Sequence, residues 1–212
     1  MIRILLLLLI LLLIIIVLNT GKVKSFTQDK VKSFLRDGIY YEENVITNED
    51  IQALLYEFSQ LKESSMFKLE QTSGTHNRSS VKMDPASKTY SVMSSGLILD
   101  KIRQLTKDDT IVLGDFPVEM RTYDIGGTMD WHSDTILYAP AQWECVLTLH
   151  NNTDSTTDVI TYNDEVHTIK TRPGSILLVR AGGLYHRVNP STHGERVIVK
   201  ALYVSPHSIS LI

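Results

Sequence analysis

RTYDIGGTMDWHSD, residues 121–134, reads as a strand, a Gly126-Gly127 turn and a second strand that carries His132 and Asp134 one residue apart. Side chains alternate along an extended chain, so residues i and i+2 project from one face. The spacing predicts that an imidazole nitrogen of His132 and a carboxylate oxygen of Asp134 aim at a single point. With one further histidine they would form a two-histidine, one-carboxylate face suited to ferrous iron, leaving other coordination positions open. His186 is the candidate third ligand, and Arg196 follows it at the start of an apolar run.

Around this stretch the texture is β. Short strands are expected at 116–123, 131–138, 142–150, 158–162, 165–170, 175–180, 184–188 and 196–204, separated by clusters of Gly, Pro, Asn and Asp. Many short strands with regular turns point to a sandwich or jelly roll. Upstream the period changes. Thr47-Asn48-Glu49-Asp50 has the form of a helix-capping box, and Ile51, Leu54, Leu55, Phe58 and Leu61 recur at helical spacing to about residue 62. Leu97, Ile98, Ile102 and Leu105 predict a second helix over 95–105. Between them, residues 64–92 are rich in Ser, Thr, Gly and Asn and are expected to form a long loop, with room for a short strand, and a candidate substrate lid. Helices first and strands afterwards make the class α+β, mainly β, with the N-terminal helices packed on one sheet.

The length of 212 residues fits one domain with an N-terminal appendage. A net charge of −3, with Lys and Arg scattered, gives no basic stripe, so no nucleic-acid partner is expected. The single cysteine, Cys145, excludes an intrachain disulfide and, in an apolar run, reads as a buried inert thiol. Residues 2–18 are apolar except for Arg3, close to the lower length limit for a bilayer-crossing helix. The expected organisation is a single-pass membrane anchor over 1–20 (a cleavable signal sequence being the alternative), a juxtamembrane connector over 21–37 and one domain over 38–212, its β core at about 116–205. Lys22, Lys24, Lys30 and Lys32 would place that domain in the cytosol. The sequons at Asn77 and Asn151 acquire meaning only in a secretory lumen, which leaves both sides of the membrane open.

Each site residue alone is weak. A His-x-Asp triplet arises by chance, a lone His186 reads equally well as a strand-end histidine, and an arginine such as Arg196 is more often a surface residue. The set is stronger, because each member falls where a jelly-roll strand or strand end would put it. At the start of its strand the Arg196 fork could take the far carboxylate of a dicarboxylic co-substrate in two parallel hydrogen bonds. Arg196, Ile198 and Lys200 share one strand face, which makes Lys200 the reserve partner. His76, His150, His167, His193 and His207 read as surface or structural.

Tyr123-Asp124-Ile125-Gly126-Gly127, His132-Ser133-Asp134, Gly174-Ser175-Ile176-Leu177-Leu178, His186 and Gly194-Glu195-Arg196 together resemble the 2-oxoglutarate- and Fe(II)-dependent dioxygenases, the prolyl 4-hydroxylase-like branch in particular. The resemblance spans roughly 39–204 and is densest after residue 116. It implies a double-stranded β-helix (jelly-roll or cupin-like), with iron held by His132, Asp134 and His186 and the co-substrate's distal carboxylate bound by Arg196. Thr148 stands where family members often place a co-substrate-touching Tyr, and Tyr123 is a further pocket candidate. Prolyl 4-hydroxylases usually carry Lys where Arg196 stands, and Met129 and Thr148 each replace an aromatic residue. The implied activity is hydroxylation of a protein or peptide side chain, prolyl first, using O2 and decarboxylating 2-oxoglutarate to succinate, with ascorbate as reductant. Ile136, Val146 and Leu178 would keep the pocket dry. Two alternatives remain: the same iron chemistry on a lipid, small molecule or nucleobase, and a non-catalytic jelly-roll binding module.

Overall fold

The computed structural model describes residues 38–212. The expected anchor and connector lie outside the described residues, among which no helix is long and apolar enough to cross a membrane.

Among the described residues three helices come early. α1 (Asn48–Glu63) starts at Thr47, whose hydroxyl accepts from the Asp50 amide at 3.0 Å, and it buries Ile51, Leu54 and Phe58. This is the expected capped amphipathic helix. α2 (Lys88–Met93) is capped by Ser87, and α3 (Gly96–Thr106) buries Ile98 and Ile102. Thirteen strands accompany them among the described residues. Those that shape the molecule are β1 (Ile39–Glu42), β2 (Lys68–Leu69), β3 (Thr75–Lys82), β5 (Glu119–His132), β7 (Trp143–Asn151), β8 (Thr157–Ile160), β9 (Val166–Ile169), β10 (Ile176–Arg180), β11 (His186–Val188) and β12 (Arg196–Val204). They join an antiparallel sheet of 11 strands with the main order β1-β10-β7-β12-β5-β11-β8-β9, in which β3 also pairs with β5 and β2 with β3. The sheet curls so that β7, β10 and β12 face β8 and β11 across a cavity, as a jelly roll requires.

Strand alternation divides the residues between two environments. Cys145, Leu147 and Leu149 of β7, and Val197, Val199, Ala201 and Tyr203 of β12, face the helices and join Leu54, Met93, Ile98 and Ile102 in the main core. Each large apolar side chain buried there contributes about 1.5–3 kcal/mol. Tyr203 also donates its hydroxyl to the Met93 carbonyl at 2.6 Å, tying sheet to helices. The opposite faces of the same strands, with Glu144, Val146, Arg196, Ile198 and Lys200, line the cavity.

Three expectations are corrected. The glycines at 126 and 127 do not divide two strands, since β5 runs unbroken from Glu119 to His132. Gly127 is needed for close approach, because a Cβ there would lie 2.7 Å from the Asp124 carbonyl oxygen. Residues 64–92 are not a loop, for they hold the β2–β3 hairpin and α2. On β10 the parity is shifted by one residue: Leu177 and Val179 face the cavity, while Leu178 faces the helices.

Candidate metal and co-substrate site

β5 ends at His132, and Asp134 lies in the irregular segment beyond it. Strand alternation therefore does not aim the pair. The loop does, held by the Gly182 amide, which donates to the Asp134 carbonyl oxygen at 2.8 Å. Gly182 has φ +70, and a Cβ there would meet Ile136 Cδ1 at 2.6 Å. Ile136 thus seals the outside of this contact, half exposed, rather than the cavity. His186 opens β11 directly across from His132, so the sheet register brings the two imidazoles together.

His132, Asp134 and His186 each offer a ligand atom, all within 4.8 Å of one another. His132 Nε2 lies 3.9 Å from Asp134 Oδ1, and His186 Nε2 lies 3.6 Å from Asp134 Oδ2. The Nδ1 atoms face carbonyl oxygens, of Asp130 at 2.8 Å and of Leu184 at 3.1 Å. A carbonyl only accepts, so each Nδ1 carries the proton and each Nε2 turns a lone pair toward the cluster. Burial pushes the His186 pKa below its usual value against the pull of Asp134, which keeps the imidazole neutral and able to ligate. Burial would raise the Asp134 carboxyl, yet its surroundings, the Lys200 ammonium first among them, hold it below its usual range, which favours the ionised form. Two imidazoles and one carboxylate are a donor set that fits ferrous iron.

Lys200 sits at this end of the cavity, its ammonium 3.4 Å from Asp134 Oδ1 and paired with Glu144. Burial and the Asp134 charge push the Glu144 carboxyl up, opposed by Lys200. Gln142 fixes Glu144 from behind, donating to its Oε1 at 3.2 Å and to the Thr135 carbonyl at 2.8 Å. Lys200 is thus engaged by the carboxylate of the His-Asp-His cluster and lies away from Arg196 along the strand.

Arg196 lies along the same face of β12, 2% exposed. Its Nη2 donates to Thr157 Oγ1 at 3.3 Å, its guanidinium carbon lies 5.6 Å from the Tyr123 ring centroid, and its Nε and Nη1 have no partner. Thr148, opposite Ile198 on β7, is fully buried with an unpartnered hydroxyl oxygen. Buried polar groups of this kind are rare unless a ligand completes them. Val146, Ile198 and Leu177 supply an apolar wall between Arg196 and the histidines.

Sequence reading missed Arg78, Glu70 and Glu144. Arg78 of β3 is 3% exposed, pairs with Glu70, and donates from Nη1 to Tyr123 Oη at 3.3 Å and to Met129 Sδ at 2.9 Å. Its segment is polar and lacks alternation, so nothing in the residues alone marks it as cavity wall.

No protein-family profile matches the chain, and no curated protein matches it by sequence. Solved structures match by shape. A prolyl-4-hydroxylase from Pseudomonas putida covers 82% of this chain and 95% of its own, at 14% identity and TM-score 0.65. The non-haem α-ketoglutarate-dependent epimerase SnoN of nogalamycin biosynthesis covers 86% of this chain and 82% of its own, at 11% identity and TM-score 0.73. A prolyl hydroxylase from Trichoplax adhaerens, solved with a hypoxia inducible factor peptide fragment, covers 86% and 95%, at 12% identity and TM-score 0.65. The fold of this chain is therefore the curled β fold of the 2-oxoglutarate- and Fe(II)-dependent oxygenases, prolyl hydroxylases among them.

Proposed function

We propose that the protein is a 2-oxoglutarate- and Fe(II)-dependent dioxygenase that hydroxylates a protein or peptide side chain, a prolyl residue first among the candidates, and that residues 2–18 anchor it in a membrane. The observation that carries this reading is the pairing of two features in one cavity. A His-Asp-His cluster stands at one end, and a buried arginine with two unpartnered nitrogens lies along the same wall.

When bound, iron and 2-oxoglutarate supply activation of O2 coupled to decarboxylation of the co-substrate to succinate, with transfer of one oxygen atom to a substrate C–H bond. The chain supplies placement. The Nε2 atoms of His132 and His186 and the Asp134 carboxylate would hold the metal. Arg196 would take the distal carboxylate of 2-oxoglutarate. Val146, Ile198 and Leu177 keep water from the span between. Lys200 and Glu144 hold the Asp134 carboxylate from one side.

The cytosolic side is favoured by the lysines that follow the apolar run and by the sequon amides. Asn151 Nδ2 donates to the Thr171 carbonyl at 3.0 Å and Asn77 Nδ2 to the Ile125 carbonyl at 3.0 Å, so the nitrogen a glycan would need is already engaged within the fold at both sequons. A small-molecule substrate is the competing reading, favoured by the larger structural overlap with SnoN. Metal analysis and succinate release, measured on the detergent-solubilised full chain with Fe(II), 2-oxoglutarate and ascorbate, test the proposal. Bound iron and substrate-independent succinate are expected, with further stimulation by proline-containing peptides. No metal uptake and no succinate would overturn the enzyme reading, whereas succinate without stimulation by any peptide would favour the small-molecule substrate.

A further inference from the structure

Arg78, Tyr123 and Arg196 form one cross-strand row. Arg78 of β3 pairs directly with Tyr123 of β5, and Tyr123 pairs directly with Arg196 of β12. All three are buried, at 3%, 3% and 2% exposure. The two guanidinium carbons lie 5.7 and 5.6 Å from the centroid of the Tyr123 ring. Opposed residues on neighbouring strands stand within side-chain reach of each other, so the row is a consequence of register.

Arg78 reaches this row through a local irregularity. The β3–β5 register shifts between His76 and Arg78, and Asn77 takes a left-handed conformation with φ 46. Asn77 Nδ2 is anchored on the Ile125 carbonyl. His76 and Asn77 are both exposed, and between the two paired segments β5 spends four residues, 124–127, against Asn77 alone on β3, which leaves Arg78 facing inward beside Tyr123.

The two arginines differ in how they are satisfied. Arg78 is ion-paired with Glu70, which Arg121 also approaches at 3.7 Å. Arg196 has one polar partner, Thr157, and no acidic side chain is among the groups acting on it. A long side chain with one hydrogen bond has several orientations open to it. The Tyr123 ring is the surface that restricts the Arg196 plane, and Arg78 in turn holds that ring by its hydroxyl. Like charges on a shared ring also repel, and only the Arg78 charge is neutralised. The charge left without a counter-ion is on Arg196.

We propose that Arg78 is a positioning residue for co-substrate binding. Acting through Tyr123, it fixes the Arg196 guanidinium in the orientation that receives the distal carboxylate of 2-oxoglutarate. This rests on the assignment of Arg196 above. Neither Arg78 nor Glu70 touches the metal cluster in this role.

The test separates co-substrate affinity from metal affinity on the full chain. Arg78→Met is combined with Glu70→Gln, because removing the cation alone would strand a half-buried carboxylate. Anaerobic calorimetry of 2-oxoglutarate binding to the Mn(II)-loaded protein gives one constant, and Mn(II) titration by electron paramagnetic resonance gives the other. The double variant is expected to bind 2-oxoglutarate about tenfold more weakly, about 1.4 kcal/mol, with Mn(II) affinity held within about twofold. Arg78→Lys, which keeps the charge but not the fork, should recover part of the loss. A folded double variant with a lower melting temperature but unchanged 2-oxoglutarate affinity would show a purely structural role and overturn the proposal. Should the double variant not fold, Tyr123→Phe decides, since it removes only the hydroxyl that Arg78 grips; a loss of about threefold is expected, and no loss overturns the proposal. Arg196→Met is the control. If it too leaves 2-oxoglutarate affinity unchanged, the carboxylate assignment itself falls, a result distinct from failure of the relay.

Discussion

Replacing Arg196 by Met should move stability and ligand affinity in opposite directions. The guanidinium is 2% exposed with Nε and Nη1 unpartnered. Each buried donor without a partner costs about 1–3 kcal/mol in the ligand-free protein. Against this, Met forfeits the Thr157 hydrogen bond, about 1 kcal/mol, and the stacking on Tyr123, also about 1 kcal/mol. The ligand-free variant should therefore be more stable than wild type by about 1 kcal/mol, or about 2–4 °C in melting temperature for a domain of this size. Binding goes the other way. Two charge-assisted hydrogen bonds to a carboxylate are worth about 1.5–3 kcal/mol each, so 2-oxoglutarate affinity should drop by about a hundredfold or more. Thermal melts with and without 2-oxoglutarate on the Mn(II)-loaded protein read both effects, because a ligand that binds only the native state raises the melting temperature. Wild type should melt low without ligand and shift up with it, while the variant should melt higher at the start and shift little. A variant that melts below wild type and still shifts with the co-substrate would refute the reasoning.

His132→Ala removes one of the three candidate ligand atoms and should reduce bound metal to near zero with the fold retained, as checked by metal analysis and circular dichroism. Gly182→Ala places a Cβ at a φ of +70 and 2.6 Å from Ile136 Cδ1, at a cost of about 1 kcal/mol for the left-handed backbone. Because its amide holds the Asp134 loop, Mn(II) affinity should fall together with the melting temperature. Glu70 supplies a pH signature. Burial raises its carboxyl, but the Arg78 hydrogen bond and the charges of Arg121 and Arg78 outweigh this and hold it below 4.5. A carboxyl depressed in the folded state contributes stability above its unfolded pKa and loses it as the pH falls through the folded value. The stability difference between wild type and Glu70→Gln in urea titrations should be flat above about pH 5.5 and shrink on acidification below 4.5.

The parts of the fold legible in the sequence were those where local pattern and tertiary role agree. Thr47 through Leu61 carried both a cap and a helical apolar stripe, and β12 was readable from its ends, Arg196 to Val204. The illegible parts depend on partners far along the chain. β3, THNRSSVK, is polar and irregular, and it is a strand only because β5 pairs with it, so Arg78 looked like loop. On β10 a run of apolar residues gives no phase, so which of Leu177 and Leu178 faces the cavity is settled by register with β7. The expectation that His132 and Asp134 converge is met in geometry, but through the Gly182 contact rather than strand alternation, a device no local pattern announces.

The division of β7 and β12 into two faces bears on how such a protein can change over generations. Cys145, Leu147 and Leu149 answer to the helices, while Glu144 and Val146 between them answer to the cavity. Sites without shared partners respond to substitution nearly independently. A lineage can therefore explore new occupants of the cavity at alternate positions while the packing against the helices stands unchanged, and acquire a new specificity without first acquiring a new scaffold.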